Sequence, residues 1–282
     1  MKATSFDPIA IAIEEDIGEG DITTQFFVTA DLRASAQIIA REKAIMAGTE
    51  TATEVFRRID PATQARIISA DGSEVNPGDV IIEIEGLACS ILKAERIALN
   101  FLQRLCGIAT LTRKFVDAAG NDRVKILDTR KTTPGLRALE KAAVVSGGGA
   151  NHRFGLFDMA LVKDNHLAAY SGSAAFAENV TKLRQERPNV RIEVEAERLD
   201  QVRALLKFEG VDLILLDNMK PAQIREAVAL GKNKVKFEAS GGINLKNIRQ
   251  IAATGVDYIS IGALTHSPRA IDLSLEMTPD VA

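Results

Sequence analysis

The 282-residue sequence has only two cysteines, Cys89 and Cys106, and three histidines. So few cysteines exclude a disulfide framework, and their spacing fits no metal motif, so both are expected as small buried hydrophobes. No apolar run reaches the roughly eighteen residues of a transmembrane helix. Glu14, Glu15 and Asp16 stand where a signal peptide would have its cleavage region, which makes a cytoplasmic protein the expectation. Biased tracts are absent too, and a composition of 46% hydrophobic and 26% charged residues is that of an ordered globule. A formal net charge of −3 leaves no broad basic surface. That excludes nucleic acid as a partner, and no membrane partner is expected either.

Against this background, 128–167 reverses the local sign of charge. It contains Arg130, Lys131, Arg137, Lys141, His152, Arg153, Lys163 and His166. A charge run is usually a solvated face. Here the cations stand beside Thr-Thr-Pro-Gly, Gly-Gly-Gly and Asp-Asn punctuation, where elements end, instead of following helical spacing. Loops held on a rigid scaffold carry binding residues more often than the elements do. The stretch therefore predicts a pocket for a small, multiply anionic substrate.

The chain opens with a short helix predicted from Pro8, Asp7 being its cap, and a turn at 18–24. Strand patterns follow at 34–40, 65–69 and 80–85, with helical spacing at 49–59 and a turn at 76–79. This reads as a small α+β unit. A long helix is expected over 90–119, capped by Ser90, with Gly107 a bend or close contact and Arg96 and Arg104 on its exposed face.

Six strand-like runs then appear, at 124–129, 159–163, 191–197, 213–218, 235–240 and 258–263. Amphipathic helical patterns at 174–186, 199–208, 221–230 and 245–254 separate most of them. Such alternation implies βαβ units and a parallel sheet, either a barrel short of the usual eight strands or an open doubly wound sheet. In both, function sits at the carboxyl ends of the strands.

Those ends read Asp128, Thr129, Arg130 and Lys131, then Lys163, Asp164, Asn165 and His166, then Glu193 and Glu195, then Asp217 and Asn218. Ser240, Gly241 and Gly242 follow, then Ile261, Gly262 and Ala263. A single strand-terminal carboxylate is more often a helix cap. Glu195 and Asp217 on neighbouring units, beside cations suited to phosphates, match what Mg²⁺ requires. The glycine pairs of the last two units fit a phosphate site made by backbone N–H groups.

At this point the residues resemble quinolinate phosphoribosyltransferase, a family also called nicotinate-nucleotide pyrophosphorylase (carboxylating). The likeness runs from the EDIGEGDITT stretch through LNFLQR, DTRKTTPGLR, GGGANHRFGL, LVKDNH, IEVE, LLDN, ASGGI and IGALTHS. It implies an N-terminal α+β sandwich over 1–113, joined by 266–282, and an incomplete α/β barrel of about six βα units over 114–265. The implied reaction joins quinolinate and phosphoribosyl pyrophosphate to give nicotinate mononucleotide, pyrophosphate and carbon dioxide, with Mg²⁺ as cofactor. By motif position Arg130, His152, Arg153 and Lys163 would bind quinolinate, with Thr129 beside them, and Lys131 the phosphoribosyl pyrophosphate. Glu195 and Asp217 would hold ribose hydroxyls and Mg²⁺, and Ser240 to Gly242 and Ile261 to Ala263 the phosphate; Lys131, Lys163, Glu195 and Asp217 form the catalytic set. Arg96 matches the arginine that family members lend to a neighbouring subunit, so a homodimer or higher assembly with shared active sites is expected. The rival readings are a phosphoribosyltransferase-fold protein for another base, a molybdenum-associated paralogue, and a non-catalytic sugar-phosphate sensor.

Overall fold

The structure, a computed structural model, describes residues 6–163 and 173–280. In chain order the first elements are α1 (Pro8–Ile17), α2 (Ile22–Phe27), β1 (Arg33–Ala40), β2 (Ala44–Ile45), α3 (Thr49–Ile59), β3 (Gln64–Ile67), β4 (Glu74–Val75), β5 (Val80–Leu87) and α4 (Ala88–Ala119). After them come β6 (Lys125–Leu127), α5 (Arg137–Ser146), β7 (Met159–Val162), α6 (Ser173–Glu186), β8 (Arg191–Ala196), α7 (Leu199–Leu205) and β9 (Leu213–Asp217). The last are α8 (Pro221–Leu230), β10 (Lys236–Ser240), α9 (Ile248–Ala252), β11 (Tyr258–Ser260), α10 (Ala263–His266) and β12 (Leu273–Pro279). These form two compact units, one of residues 6–113, 132–148 and 264–280, the other of 114–131, 149–163 and 173–263.

The first unit is built on an antiparallel sheet in the order β12-β1-β5-β3. Ala34, Ala36 and Ile38 alternate along β1 onto one buried face, as the period of a strand requires. Ile82 and Ile84 of β5, Val55 and Phe56 of α3, and Ile91, Ala98 and Leu102 of α4 complete that core. Burying each of the larger side chains is worth about 1.5–3 kcal/mol. Asp7 caps α1, its carboxylate accepting from the N–H groups of Ile9 and Ala10 at 3.1 and 3.2 Å, with Pro8 in the first turn. The turn expected at 18–24 runs into a helix instead, because Asp21 accepts from Thr24 N–H at 3.1 Å and so caps α2. Helix α4 begins at Ala88, so Ser90 lies inside it and is not its cap; its hydroxyl donates to Asp60 Oδ2 at 2.9 Å.

Residues 132–148 were expected in the barrel and pack in the first unit. Leu136 and Leu139 lie against its core. Glu140, fully buried in α5, accepts from Arg104 Nε and Nη2 at 3.2 and 2.8 Å and, through its other oxygen, from Thr133 N–H at 3.1 Å. Arg104 Nη2 also donates to the Thr265 carbonyl at 2.7 Å. Arg104 is therefore half-buried in a charge-assisted network, where helical spacing had placed it on a solvated face.

In the second unit six parallel strands follow the order β6-β11-β10-β9-β8-β7. Strands β7 to β10 each pair with their successor, and β11 pairs with β6, so the order is that of a ring open between β6 and β7. Along the free edge of β6, Ala150 donates to the Ile126 carbonyl at 2.8 Å and accepts from Asp128 N–H at 3.2 Å. Side chains from β8 and β10, two strands apart, converge on His152 inside the sheet. The strand order runs in one direction without the reversal that marks a doubly wound sheet, which makes the unit an incomplete barrel. Strand β9 is buried along Leu213–Leu216, on both of its faces, as a parallel strand between helices and a packed interior must be.

Candidate active site

Because all six strands run the same way, their carboxyl ends share one rim of the second unit. Glu195 is the fifth residue of β8, Glu197 follows that strand, and Asp217 closes β9. Glu195, Glu197 and Asp217 each bring a carboxylate oxygen within 4.8 Å of the others. The sequence pointed to Glu195 and Asp217; Glu197 joins them because the chain turns just beyond β8. Asn218, in the left-handed region at φ 54°, donates from Nδ2 to Asp217 Oδ2 at 2.8 Å and from its backbone N–H to the Ser240 carbonyl at 2.9 Å. Lys163 Nζ lies 3.3 Å from Glu195 Oε2. Three hard oxygen donors on a partly open rim suit Mg²⁺, which accepts a few carboxylates and keeps positions for substrate oxygens and water.

The cations of the rim lie on the loops after β6 and before β7. Thr129 Oγ1 accepts from Lys131 N–H at 3.1 Å, closing the turn that carries exposed Arg130 and Lys131. Arg153 is half-buried, and its Nη1 donates to the Met159 carbonyl at 3.3 Å. Burial, and then the nearby charge of Arg130, hold its guanidinium below the usual arginine range. The positive charge of Arg130 is thus felt at Arg153, and a bound carboxylate would offset it.

His152 projects into the barrel interior. Its Nε2 is 3.0 Å from Glu193 Oε2 on β8 and 3.4 Å from Glu238 Oε2 on β10, while Nδ1 accepts the Arg153 backbone N–H at 2.7 Å. Its own backbone N–H donates to Asp128 Oδ1 at 2.9 Å, and Asp128 is fully buried at the end of β6. Burial opposes charge on the imidazole, but hydrogen bonds to Glu193 and Glu238 outweigh it and raise His152 to about 9. Glu193 is raised as well, by burial first. In the neutral ring the Arg153 N–H makes Nδ1 the acceptor, so the proton lies on Nε2, and a second ring proton would displace that contact. Although His152, Glu193 and Glu238 have ligand atoms at metal-binding separations, a protonated Nε2 offers no lone pair to a metal ion.

The glycine loops keep their places on the rim. Ser240 ends β10, and Gly241 and Gly242 follow at φ 90° and 62°. Ile261, buried after β11, donates its N–H to the Leu127 carbonyl at 2.9 Å, and Gly262 leads into Ala263 at the start of α10. Arg96, exposed and 3.9 Å from Glu95 Oε1, belongs to the first unit. So do Arg137, whose Nε donates to Thr132 Oγ1 at 2.9 Å, and Lys141, buried in α5. Asp164, Asn165 and His166 lie outside the described residues. The sequence did not single out Glu238, because an acid inside a short strand reads as a solvated alternation; its clue was position, on the final barrel strands near two other strand-end acids. Of the cysteines, Cys106 is buried and its thiol pushed up to about 12, chiefly by burial, whereas Cys89 is half-buried.

A parallel barrel whose rim gathers cations beside a carboxylate cluster defines an enzyme of small, multiply anionic substrates. Two family models match the chain: quinolinate phosphoribosyl transferase, N-terminal domain, over residues 21–106, and quinolinate phosphoribosyl transferase, C-terminal domain, over residues 108–276. A probable nicotinate-nucleotide pyrophosphorylase [carboxylating] of Bacillus subtilis (strain 168) is 44% identical over 265 residues, 94% of this chain and 90% of its own. Among solved structures, the nicotinate-nucleotide pyrophosphorylase of Francisella tularensis matches with a TM-score of 0.89 at 41% identity, over 96% of this chain and 94% of its own. That of Ehrlichia chaffeensis matches with a TM-score of 0.89 at 40% identity, over 99% of this chain and all of its own. The chain belongs to the quinolinate phosphoribosyltransferase family.

Proposed function

We infer that the chain catalyses its family's reaction, transfer of the phosphoribosyl group of phosphoribosyl pyrophosphate to the ring nitrogen of quinolinate with loss of carbon dioxide. The products are nicotinate mononucleotide and pyrophosphate, which places the enzyme in NAD biosynthesis. The observation that carries this reading is the carboxylate cluster of Glu195, Glu197 and Asp217 on the strand-end rim, with Lys163 Nζ 3.3 Å from Glu195 and the arginines on the adjoining loops. A pyridine dicarboxylate needs paired cations, and planar guanidiniums suit bidentate carboxylate binding.

Arg130, Arg153 and Lys163 bind the two ring carboxylates, and Lys131 binds the phosphoribosyl pyrophosphate; His152, expected from the motif to bind quinolinate as well, has both ring nitrogens engaged by Glu193 and the Arg153 N–H and supports the pocket instead. Glu195 and Asp217 hold the ribose hydroxyls and stabilise the cationic character that develops at C1 as pyrophosphate departs. Glu195, Glu197 and Asp217 would hold Mg²⁺, which supplies neutralising charge for the pyrophosphate oxygens. Backbone N–H groups around Gly241, Gly242 and Gly262 bind phosphate oxygens. Once the ring nitrogen is ribosylated it is a cation, so it accepts the electron pair released when the adjacent carboxylate leaves as carbon dioxide; a proton then takes the vacated ring position. No separate decarboxylation cofactor is required.

The working enzyme is a homodimer or a larger assembly, in which Arg96 serves the neighbouring subunit's site. It acts in the cytoplasm. Among the described residues no helix is long and apolar enough to cross a membrane. The test is stoichiometric release of carbon dioxide and pyrophosphate from quinolinate and phosphoribosyl pyrophosphate by the purified protein. Comparable turnover of nicotinate, which lacks one carboxylate, would overturn the dicarboxylate pocket.

A further inference from the structure

Two fully buried acids stand in the barrel interior, and the reaction as derived gives neither of them a role. Glu193 is completely covered and Glu238 is 1% exposed. Glu193 Oε1 and both Glu238 oxygens have no well-aligned hydrogen-bond partner among the described residues. Carboxyl groups buried in this way cost stability unless something compensates, and an apolar pair of similar volume would pack more favourably. Their shared neighbour is Nε2 of His152.

His152 is held at three points: Asp128 accepts its backbone N–H, the two carboxyls face Nε2, and the Arg153 backbone N–H donates to Nδ1. The segment that carries it has no sheet ladder between the bridge at Ala150 and the start of β7. Its farther part is closed by Asp158, which accepts from the N–H groups of Phe154 and Gly155 at 2.6 and 2.9 Å. Between these fixed points the imidazole acts as a plug seated in the barrel. The Arg153 backbone is fastened to its outer nitrogen, and the guanidinium leaves the chain from there.

We propose that Glu238, together with Glu193, is a positioning residue for substrate recognition, acting through the His152 ring to fix where the Arg153 guanidinium meets a ring carboxylate. This rests on the reading that Arg153 binds quinolinate. Glu193 accepts Nε2–H at 3.0 Å, and the Glu238 carboxyl stands 3.4 Å from the same nitrogen and confines the ring. With Nε2 so engaged, Nδ1 is the acceptor that the Arg153 N–H requires. Glu238 thus tunes affinity for the dicarboxylate without touching it, and His152 serves the pocket from beneath, its two ring nitrogens already engaged.

The test is a double-mutant cycle on the full-length enzyme between Glu238→Gln and Arg153→Ala, read as quinolinate binding by calorimetry and as KM for each substrate. Glu238→Gln keeps the shape of the side chain. It is expected to weaken quinolinate by about tenfold while phosphoribosyl pyrophosphate binding stays within about twofold. In an Arg153→Ala background, which keeps the backbone N–H but removes the guanidinium, Glu238→Gln should add less than about a twofold loss. Glu193→Gln is measured alongside and carries the same expectation if Glu238→Gln does not fold. Equal loss of both substrates, an undiminished effect in the Arg153→Ala background, or a fall in kcat alone would overturn the proposal. If Arg153→Ala itself leaves quinolinate binding unchanged, the underlying assignment of Arg153 has failed instead.

Discussion

A β-carbon on Gly241 would lie 2.2 Å from Oδ1 of Asn218, so the two residues keep their places only because one of them has no side chain. Gly241 is also at φ 90°, where side chains are strained. Asn218 in turn donates to Asp217, so crowding at Gly241 reaches the carboxylate cluster. Gly241→Ala is expected to lower kcat about tenfold or more, since small misplacements of reacting groups are costly. Asn218→Ala on top of it should recover only part of the lost thermal stability and no activity, because the backbone nitrogen of residue 218 stays 2.9 Å from that β-carbon and φ stays positive. Full activity of the single variant would show that the clash is relieved elsewhere.

Metal dependence is the expectation at Glu195, Glu197 and Asp217. Glu195→Gln combined with Asp217→Asn should reduce turnover by several orders of magnitude, each lost transition-state contact being worth about 2–4 kcal/mol. Wild-type turnover should vanish in excess chelator and return with Mg²⁺ or Mn²⁺. Undiminished turnover in chelator would count against a metal at this cluster.

Sharing of the active site can be tested with two inactive variants, Arg96→Ala and Lys131→Ala, unfolded together and refolded as mixed dimers. If Arg96 serves the neighbouring subunit, each mixed dimer has one site with both lesions and one with neither, so random pairing restores roughly a quarter of wild-type activity. No recovery means that Arg96 acts within its own subunit.

The His152 cluster predicts a pH dependence of stability. Folding raises its proton affinity from the ordinary 6.5 of histidine to about 9, so the folded state holds more protons between those values. The stabilisation should be complete below about pH 6.5 and fall away as pH rises through about 9. Urea unfolding followed by circular dichroism from pH 6 to pH 10 would measure it, and Glu238→Gln should flatten the decline. Stability that climbs over that window would contradict the proton assignment.

Much of the barrel was legible in the sequence because its strands are apolar runs between turn residues, and α8 follows Pro221 at the predicted start. Gly107 was read as a bend or close contact. A β-carbon there would sit 2.1 Å from the Arg269 carbonyl, so close contact is the reason. Two kinds of feature escaped. Arg104 has the helical spacing of a solvated residue, and only the approach of α5 and Thr265 makes it part of a buried network. Residues 132–148 follow a barrel strand directly, yet Leu136 and Leu139 pack on the other core, a choice that depends on contacts remote in sequence. At the site, the neighbours of Asp217 and Glu195 could be read from strand ends. Of the acids facing His152, Glu193 was named only as a strand end and Glu238 not at all, because their meeting depends on strands distant in sequence.

The strand order also bears on how the chain is made. β1 pairs with β12, and β6 pairs with β11, so each sheet contains a partnership between an early and a late part of the sequence. While the late strands are still within the ribosome, β1 and β6 each present an unpaired edge, and such edges invite pairing with other chains. Neither unit can close until β11 and β12 have emerged. Synthesis therefore offers no finished N-terminal domain to fold first, and protection of those two edges during translation falls to chaperones or to speed.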